Sequence, residues 1–211
     1  MVYSFGPADE KLGYTYGHDI LDKDIELSIS GSLKVAVINQ SHDGGTSFVI
    51  PHNKGRAVSV EYFPKKIRKQ GPRRSIPDME RVGGYMVVSQ KYKDLVEKFE
   101  PGIHQFSPVE VYWDKDGPSV GTYYFFNICN RFDTTDKELT TCEWVQGKMS
   151  GFWTYGRPGE KWVFRKNSIG NAVVWADKHL SAAPALCSDA FHDATVAAGC
   201  DGIDYMHSEE V

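Results

Sequence analysis

The sequence predicts an α+β fold: a mostly antiparallel sheet, two principal flanking helices and a β-rich N-terminal portion. Two observations point there. Short apolar runs, many of them alternating, are punctuated by Gly, Asp and Pro turn signals, which is the pattern of strands. Only two stretches carry the clear spacing of an amphipathic helix, and the same phrase introduces both. Val88-Ser-Gln-Lys-Tyr-Lys-Asp94 is echoed by Cys187-Ser-Asp-Ala-Phe-His-Asp193. Each runs strand-like apolar residues into a Ser, then an aromatic three residues on and an Asp two beyond it.

Taken in order, Asp24–Ser30 alternates with Ile25, Leu27 and Ile29 on one face, and Gly31-Ser32 turns it back into Leu33–Ile38 as a hairpin. His42-Asp-Gly-Gly45 is a turn, and Ala57–Phe63 is a strand. Pro64–Pro77 is basic and Pro-rich, with Lys65, Lys66, Arg68, Lys69, Arg73 and Arg74, and reads as an exposed loop. Tyr85–Val88 is a short strand, and Ser89 caps a helix to about Glu100, with Tyr92, Leu95, Val96 and Phe99 on one face. Pro101-Gly102 ends that helix. Gln105–Trp113 is a strand, Asp114–Pro118 a hairpin turn, and Tyr123–Cys129 a strand apolar on both faces, hence central. Arg131–Trp153 is polar and mixed, and Tyr155–Lys161 is a loop. Lys161–Arg165 and Asn171–Ala176 are short strands. Ser188 then caps a second helix ending at Gly199, and Gly202–Met206 is the last strand.

A chain of 211 residues suits one domain, or one domain with an elaborated N-terminal segment: residues 1–80 as the β-rich portion and 81–211 as the α+β domain. A net charge of −4 argues against a dedicated nucleic-acid binder. The N-terminus has neither a basic nor an apolar signal region, and no run is long enough to span a bilayer, so the expected location is cytoplasmic. Cys129, Cys142, Cys187 and Cys200 lack metal-site spacing, and reduced thiols are expected.

Candidate chemistry is sparse. His18-Asp19, His42-Asp43 and His52 would have to converge to hold a metal, and no HExxH or DxDxDG pattern supports it. No metal and no cofactor is expected. His192 and Asp193 are adjacent on a helix and should diverge. Gly-x-Ser-x-Gly is absent, no Cys has a recognisable His partner, and Ser89 and Ser188 serve helix starts, so no catalytic residue is assigned. One collective signal remains. Acidic residues (Asp133, Asp136, Glu138, Glu143) mix with aromatic ones (Trp144, Phe152, Trp153, Tyr155), which is the composition of a surface for a basic protein partner. Asp133, Asp136, Trp144, Trp153 and Tyr155 are the candidate interface; ordinary core packing of Trp144 and Trp153 is the competing reading.

Tyr85–Val111, with its Pro-Gly-x-x-x-Phe-x-Pro-Val segment, resembles the hallmark block of a bacterial polymorphic-toxin immunity family. That family was first described as a domain of unknown function and later named after a myxobacterial immunity protein. Tyr123–Asp133 is similar to its next block. Phe164–Trp175 and Cys187–Tyr205 are similar to its closing strand, helix and strand. The resemblance covers roughly residues 80–207 and carries no catalytic residues. It implies a cytoplasmic antidote that binds a cognate toxin domain delivered by a type VI or contact-dependent route, with neither nucleic acid nor membrane as partner. The alternatives are a hydrolase that reverses a toxin's modification through His and Asp residues of the N-terminal half, or an adaptor that loads the effector for export.

Overall fold

The computed structural model describes residues 1–8, 18–27, 32–38, 43, 54–71, 75–147, 151–154, 158–180 and 185–211. In chain order the elements begin with β1 (Val2–Pro7), β2 (His18–Ile20), β3 (Lys66–Lys69), β4 (Met79–Val82) and β5 (Tyr85–Val88). Helix α1 (Gln90–Phe99) follows, then β6 (Gln105–Tyr112), β7 (Ser119–Asn127), β8 (Arg131–Phe132), β9 (Trp144–Gln146) and β10 (Gly151–Trp153). The chain continues through β11 (Val163–Phe164), α2 (Lys166–Ile169), β12 (Val174–Asp177), β13 (Ala185–Ser188), α3 (Asp189–Ala197) and β14 (Ile203–Glu210).

These strands form two six-stranded sheets among the described residues, β2-β3-β6-β7-β5-β4 and β11-β14-β1-β13-β12-β8, with β9 and β10 as a separate ribbon. Alternation along the strands of the first sheet feeds two cores. Tyr85, Val87, Val109, Val111 and Phe125 pack on one face with Leu33, Val35, Val37, Val58, Phe63 and Ile67. Met86, Val88 and Phe126 pack on the other face, where they meet α1, α3 and Phe5, Val174, Ala185 and Cys187 of the second sheet. The second sheet's far face supplies Val2, Phe164, Trp175 and Leu186 to a third core with Trp153, Trp162 and Leu180. The result is an α+β protein with α1 and α3 between the sheets, while Ile169 of the short α2 packs in the third core. No helix among the described residues is long and apolar enough to cross a membrane.

Both repeated phrases fold alike. Ser89 Oγ accepts the Tyr92 N–H at 3.2 Å, and Ser188 Oγ accepts the Phe191 N–H at 3.3 Å, so each hydroxyl satisfies an amide that the first helical turn leaves open. Ser89 Oγ also donates to Asp78 Oδ1 at 2.6 Å. Asp78 and Asp201 exchange backbone-to-carboxylate bonds at 2.8 and 3.0 Å, tying the start of β4 to the end of α3. Gly202 makes this possible: its φ is +72°, and a Cβ there would lie 2.7 Å from the Met79 carbonyl oxygen.

Several expectations change. The sheets are mixed rather than mostly antiparallel, because β3–β6, β11–β14 and β12–β8 are parallel pairs. The basic stretch from Pro64 to Pro77 is not one exposed loop: β3 runs through it beside β6. Ile67 is fully buried, and Lys69 buries its stem while its ammonium pairs with Glu80. Arg68 pairs with Asp19, so these cations are matched by acids too distant in sequence to be visible there. His18 also reaches Glu80, at 2.8 Å, so residues from opposite ends of the first sheet meet and the sheet curls on itself. Ala57–Phe63 forms one bridge, Val37 to Val58, and a 3-10 turn over Val60–Tyr62 instead of a strand. Of the expected N-terminal hairpin, the described residues show the Leu27–Leu33 bridge and a Lys34 N–H to Glu26 carbonyl bond at 3.1 Å, and residues 28–31 lie outside them. Strands from both sides of residue 80 share both sheets, with β1 between β14 and β13.

Candidate functional site

The β9–β10 ribbon stands against the third core, held there by the strand end at Asp177–Leu180. Asp177 is fully buried, and its carboxylate is the anchor. Oδ2 accepts the Thr134 and Thr135 amides at 2.7 and 2.9 Å and the Thr134 hydroxyl at 2.7 Å, while Oδ1 accepts the His179 amide at 2.7 Å. Four donors on one carboxylate are what a buried negative charge requires. They fix residues 133–135 against His179. Sequence reasoning missed Asp177, although an Asp closing an apolar strand with a short i→i+2 turn after it is a recognisable signal.

Of the expected interface residues, Trp153 is core. Its indole packs in the third cluster, and its amide donates to the His179 carbonyl at 2.7 Å. Trp144 is different, with 36% of its surface exposed. It meets Trp153 edge to face at 5.0 Å and lies 5.5 Å from the His179 ring. Gly151 sets that position, since a Cβ there would come within 2.0 Å of the indole. The absence of a side chain lets the ring rest on the backbone opposite it.

His179 links this aromatic pair to Asp133. Its Nδ1 is 3.1 Å from the Gly151 carbonyl, which can only accept, so Nδ1 carries a hydrogen. Nε2 faces Asp133 Oδ2 at 3.7 Å. With acceptors at both nitrogens the imidazolium is favoured: the Asp133 carboxylate raises the His179 pKa, opposed by burial. The His179 contact in turn holds Asp133 below the usual carboxylate range, with Lys137 and Arg165 adding to the effect. Lys137 and Arg165 lie 3.9 and 3.6 Å from its oxygens. Asp136 is placed otherwise. Its Oδ1 accepts the amides of Glu138 and Leu139, both at 2.9 Å, and closes a turn. Asp133, Trp144 and Trp153 therefore gather around His179, Asp136 stands beside them as a turn residue, and Tyr155 lies outside the described residues.

The remaining sequence candidates serve the fold. His18 and Asp19 are in the ion pairs of the first sheet. Asp43 pairs with Arg131 at 2.7 Å and Arg56 at 2.9 Å. His42 and His52 lie outside the described residues. His192 and Asp193 do not diverge: Nδ1 and Oδ1 are 2.9 Å apart, because the imidazole lies flat on Tyr3 at 4.0 Å and turns one nitrogen toward the neighbouring carboxylate. Among the described residues no group of three or more His, Cys, Asp or Glu side chains could hold a metal ion. All four cysteines are free, and burial pushes the thiols of Cys129 and Cys200 up to about 11 and those of Cys142 and Cys187 upward as well. Each is held as the poorly nucleophilic thiol at neutral pH.

The model of the immunity protein family Imm11 matches residues 36–210, most of the chain. The chain belongs to this family. The match takes in all the blocks that carry the resemblance and begins well before residue 80, at the strand-like segment that covers the first sheet. An immunity role, the neutralising of a toxin protein, follows from Imm11 membership. All five expected interface residues lie within the matched span. No curated protein sequence matches the chain.

Proposed function

We propose that this Imm11 protein neutralises its toxin by binding it, and that the contact is centred on Trp144 with His179 and Asp133 beside it. The observation that carries this reading is the half-exposed Trp144 indole fixed on the Gly151 backbone. A rigid aromatic ring, held before any partner arrives, loses little freedom on binding and makes a good anchor. The polar groups around it, Asp133 with Lys137, Arg165 and the His179 ring, supply the rim that sets orientation and speeds encounter. Neutralisation by occlusion needs no chemistry from the immunity protein, only a surface that holds the toxin's active region closed. The toxin would arrive by a type VI or contact-dependent route, and the encounter would take place in the cytoplasm.

The test is co-expression with the cognate toxin domain, together with the affinity of the purified pair. Wild-type protein should protect cells and form a one-to-one complex. Trp144→Ala should weaken binding by about 2 kcal/mol, roughly thirtyfold in Kd, with thermal stability close to wild type because the ring is not core. Unchanged affinity in a folded Trp144→Ala protein would move the contact elsewhere. Protection retained by a variant that no longer binds would point instead to an enzymatic antidote.

A further inference from the structure

The two sheets contain the same five strands in the same arrangement. Read from β3 the first sheet runs β3-β6-β7-β5-β4, and read from β11 the second runs β11-β14-β1-β13-β12. In each, the first pair is parallel and the next three are antiparallel. Chain order agrees as well. The first set appears as β3, β4, β5, α1, β6, β7, and the second as β11, β12, β13, α3, β14, then β1, with the four-residue α2 added between β11 and β12. Only the last step, from β14 to β1, crosses the chain ends.

Register carries the correspondence to single residues. Val88 and Cys187 each precede a capping Ser; Tyr124 lies opposite Val88, and Tyr3 lies opposite Cys187. Phe126 opposite Met86 matches Phe5 opposite Ala185. On the next strand, Phe106 opposite Phe126 matches Tyr205 opposite Phe5, and both pairs are in ring contact, at 5.0 and 6.1 Å. Glu110 beside Lys66 matches Glu209 beside Val163. The two copies have the same length from Met86 and Ala185 to Glu110 and Glu209. The side-chain chemistry follows the backbone. Lys93, one residue past Tyr92, holds its ammonium 5.3 Å from the Tyr124 ring and 5.6 Å from Phe106. His192, one past Phe191, lies 4.0 Å from Tyr3 and 4.7 Å from Tyr205, the matching rings. A basic side chain on the same two aromatic positions in both copies is a contact that topology alone does not require.

We propose that the scaffold is a single β-β-β-α-β-β unit present twice, face to face through α1 and α3, with the second copy in cyclic order so that β1 is its last strand. Residues 8–65 and 128–162 then fall outside the unit. Among their described residues, β2 and β8 each add an edge strand to one sheet. Leu33, Val35, Val37, Val58 and Phe63 cover the outer face of the first sheet, and Cys142, Trp153 and Trp162 that of the second. The Trp144–His179 site sits where the second of these covers meets the repeat. This inference does not rest on toxin binding.

In this arrangement the β6–β7 turn corresponds to the gap between Val211 and Met1. The ends already abut, with the Met1 ammonium 2.6 Å from Glu210. The experiment is a permuted full chain in which a copy of residues 113–121 joins Val211 to Met1 and new ends open between Asp116 and Gly117. A control chain has the same join but opens between Lys137 and Glu138. The permuted chain should fold, with a melting midpoint within about 5 °C of wild type. If the control folds and the permuted chain does not, or if neither folds, the two connections are not equivalent and the inference fails. A second measurement avoids chain surgery. Lys93→His and His192→Lys should each leave the midpoint within about 3 °C, whereas Lys93→Glu and His192→Glu should each lower it further, because a carboxylate is repelled by the ring faces. Swaps as harmful as the Glu variants would overturn the correspondence.

Discussion

Tyr92 and Phe191 meet edge to face in the core between the sheets, ring centroids 5.8 Å apart and planes at 88°. Each is the aromatic residue of one copy of the repeated phrase, and each gives its amide to the Ser that starts its helix. The phrase thus encodes the same capped turn twice and places the two products against each other.

That contact should be measurable by a double-mutant cycle in chemical denaturation. Tyr92→Ala and Phe191→Ala should each cost about 3–5 kcal/mol, as truncation of buried aromatics generally does. Their coupling should be about 1 kcal/mol, the usual excess for an aromatic pair over area alone. Strict additivity would mean the rings share a core without interacting.

Gly151→Ala should displace Trp144, since the new methyl would occupy the place of the indole. Toxin affinity should fall by about as much as for Trp144→Ala, roughly thirtyfold. Near-ultraviolet circular dichroism should lose the signal of the coupled Trp144–Trp153 pair. An unchanged spectrum would show that the ring does not depend on this glycine.

The His179–Asp133 pair should make stability depend on pH in a defined direction. The folded protein raises the His179 pKa above its ordinary 6.5, so the pair's contribution is fully present below that value. It is lost as pH rises through the folded value. Asp133, whose pKa is depressed, contributes above the ordinary carboxylate pKa and loses that contribution as acid protonates it. Thermal midpoints of wild type and His179→Gln should therefore differ most just below pH 6.5 and converge as pH rises above it. A constant difference across that rise would count against the pairing.

Asp177→Ala should be among the most damaging single changes to the candidate site. It strips the acceptor from three backbone amides and a hydroxyl, buried at Thr134 and Thr135 and part-buried at His179, for a cost of about 3–5 kcal/mol. Hydrogen exchange should then accelerate at Thr134, Thr135 and His179 before the rest of the second sheet. Global loosening without that local priority would deny Asp177 its anchoring role.

Sequence alone determined the elements whose causes are local. Both capped helices, the β6–β7 hairpin, the central strand expected over Tyr123–Cys129 and found over Ser119–Asn127, and the family resemblance are legible because capping, turn chemistry and short-period alternation act between near neighbours. Composition also makes Trp144 and Asp133 candidates, without showing what they meet. What the chain could not display was anything that depends on pairing across long separations. β3 hides in a basic stretch because Glu80 and Asp19, which neutralise it, arrive from other strands. His179 becomes the centre of the candidate site only when Asp177 folds it against Thr134, and Gly151 matters only because Trp144 lands on it. Likewise, a phrase spoken twice was visible from the start, but its full extent was not. Tyr3 corresponds to Tyr124, and Phe5 to Phe126, through strand register alone, and register is set by which faces a sheet buries.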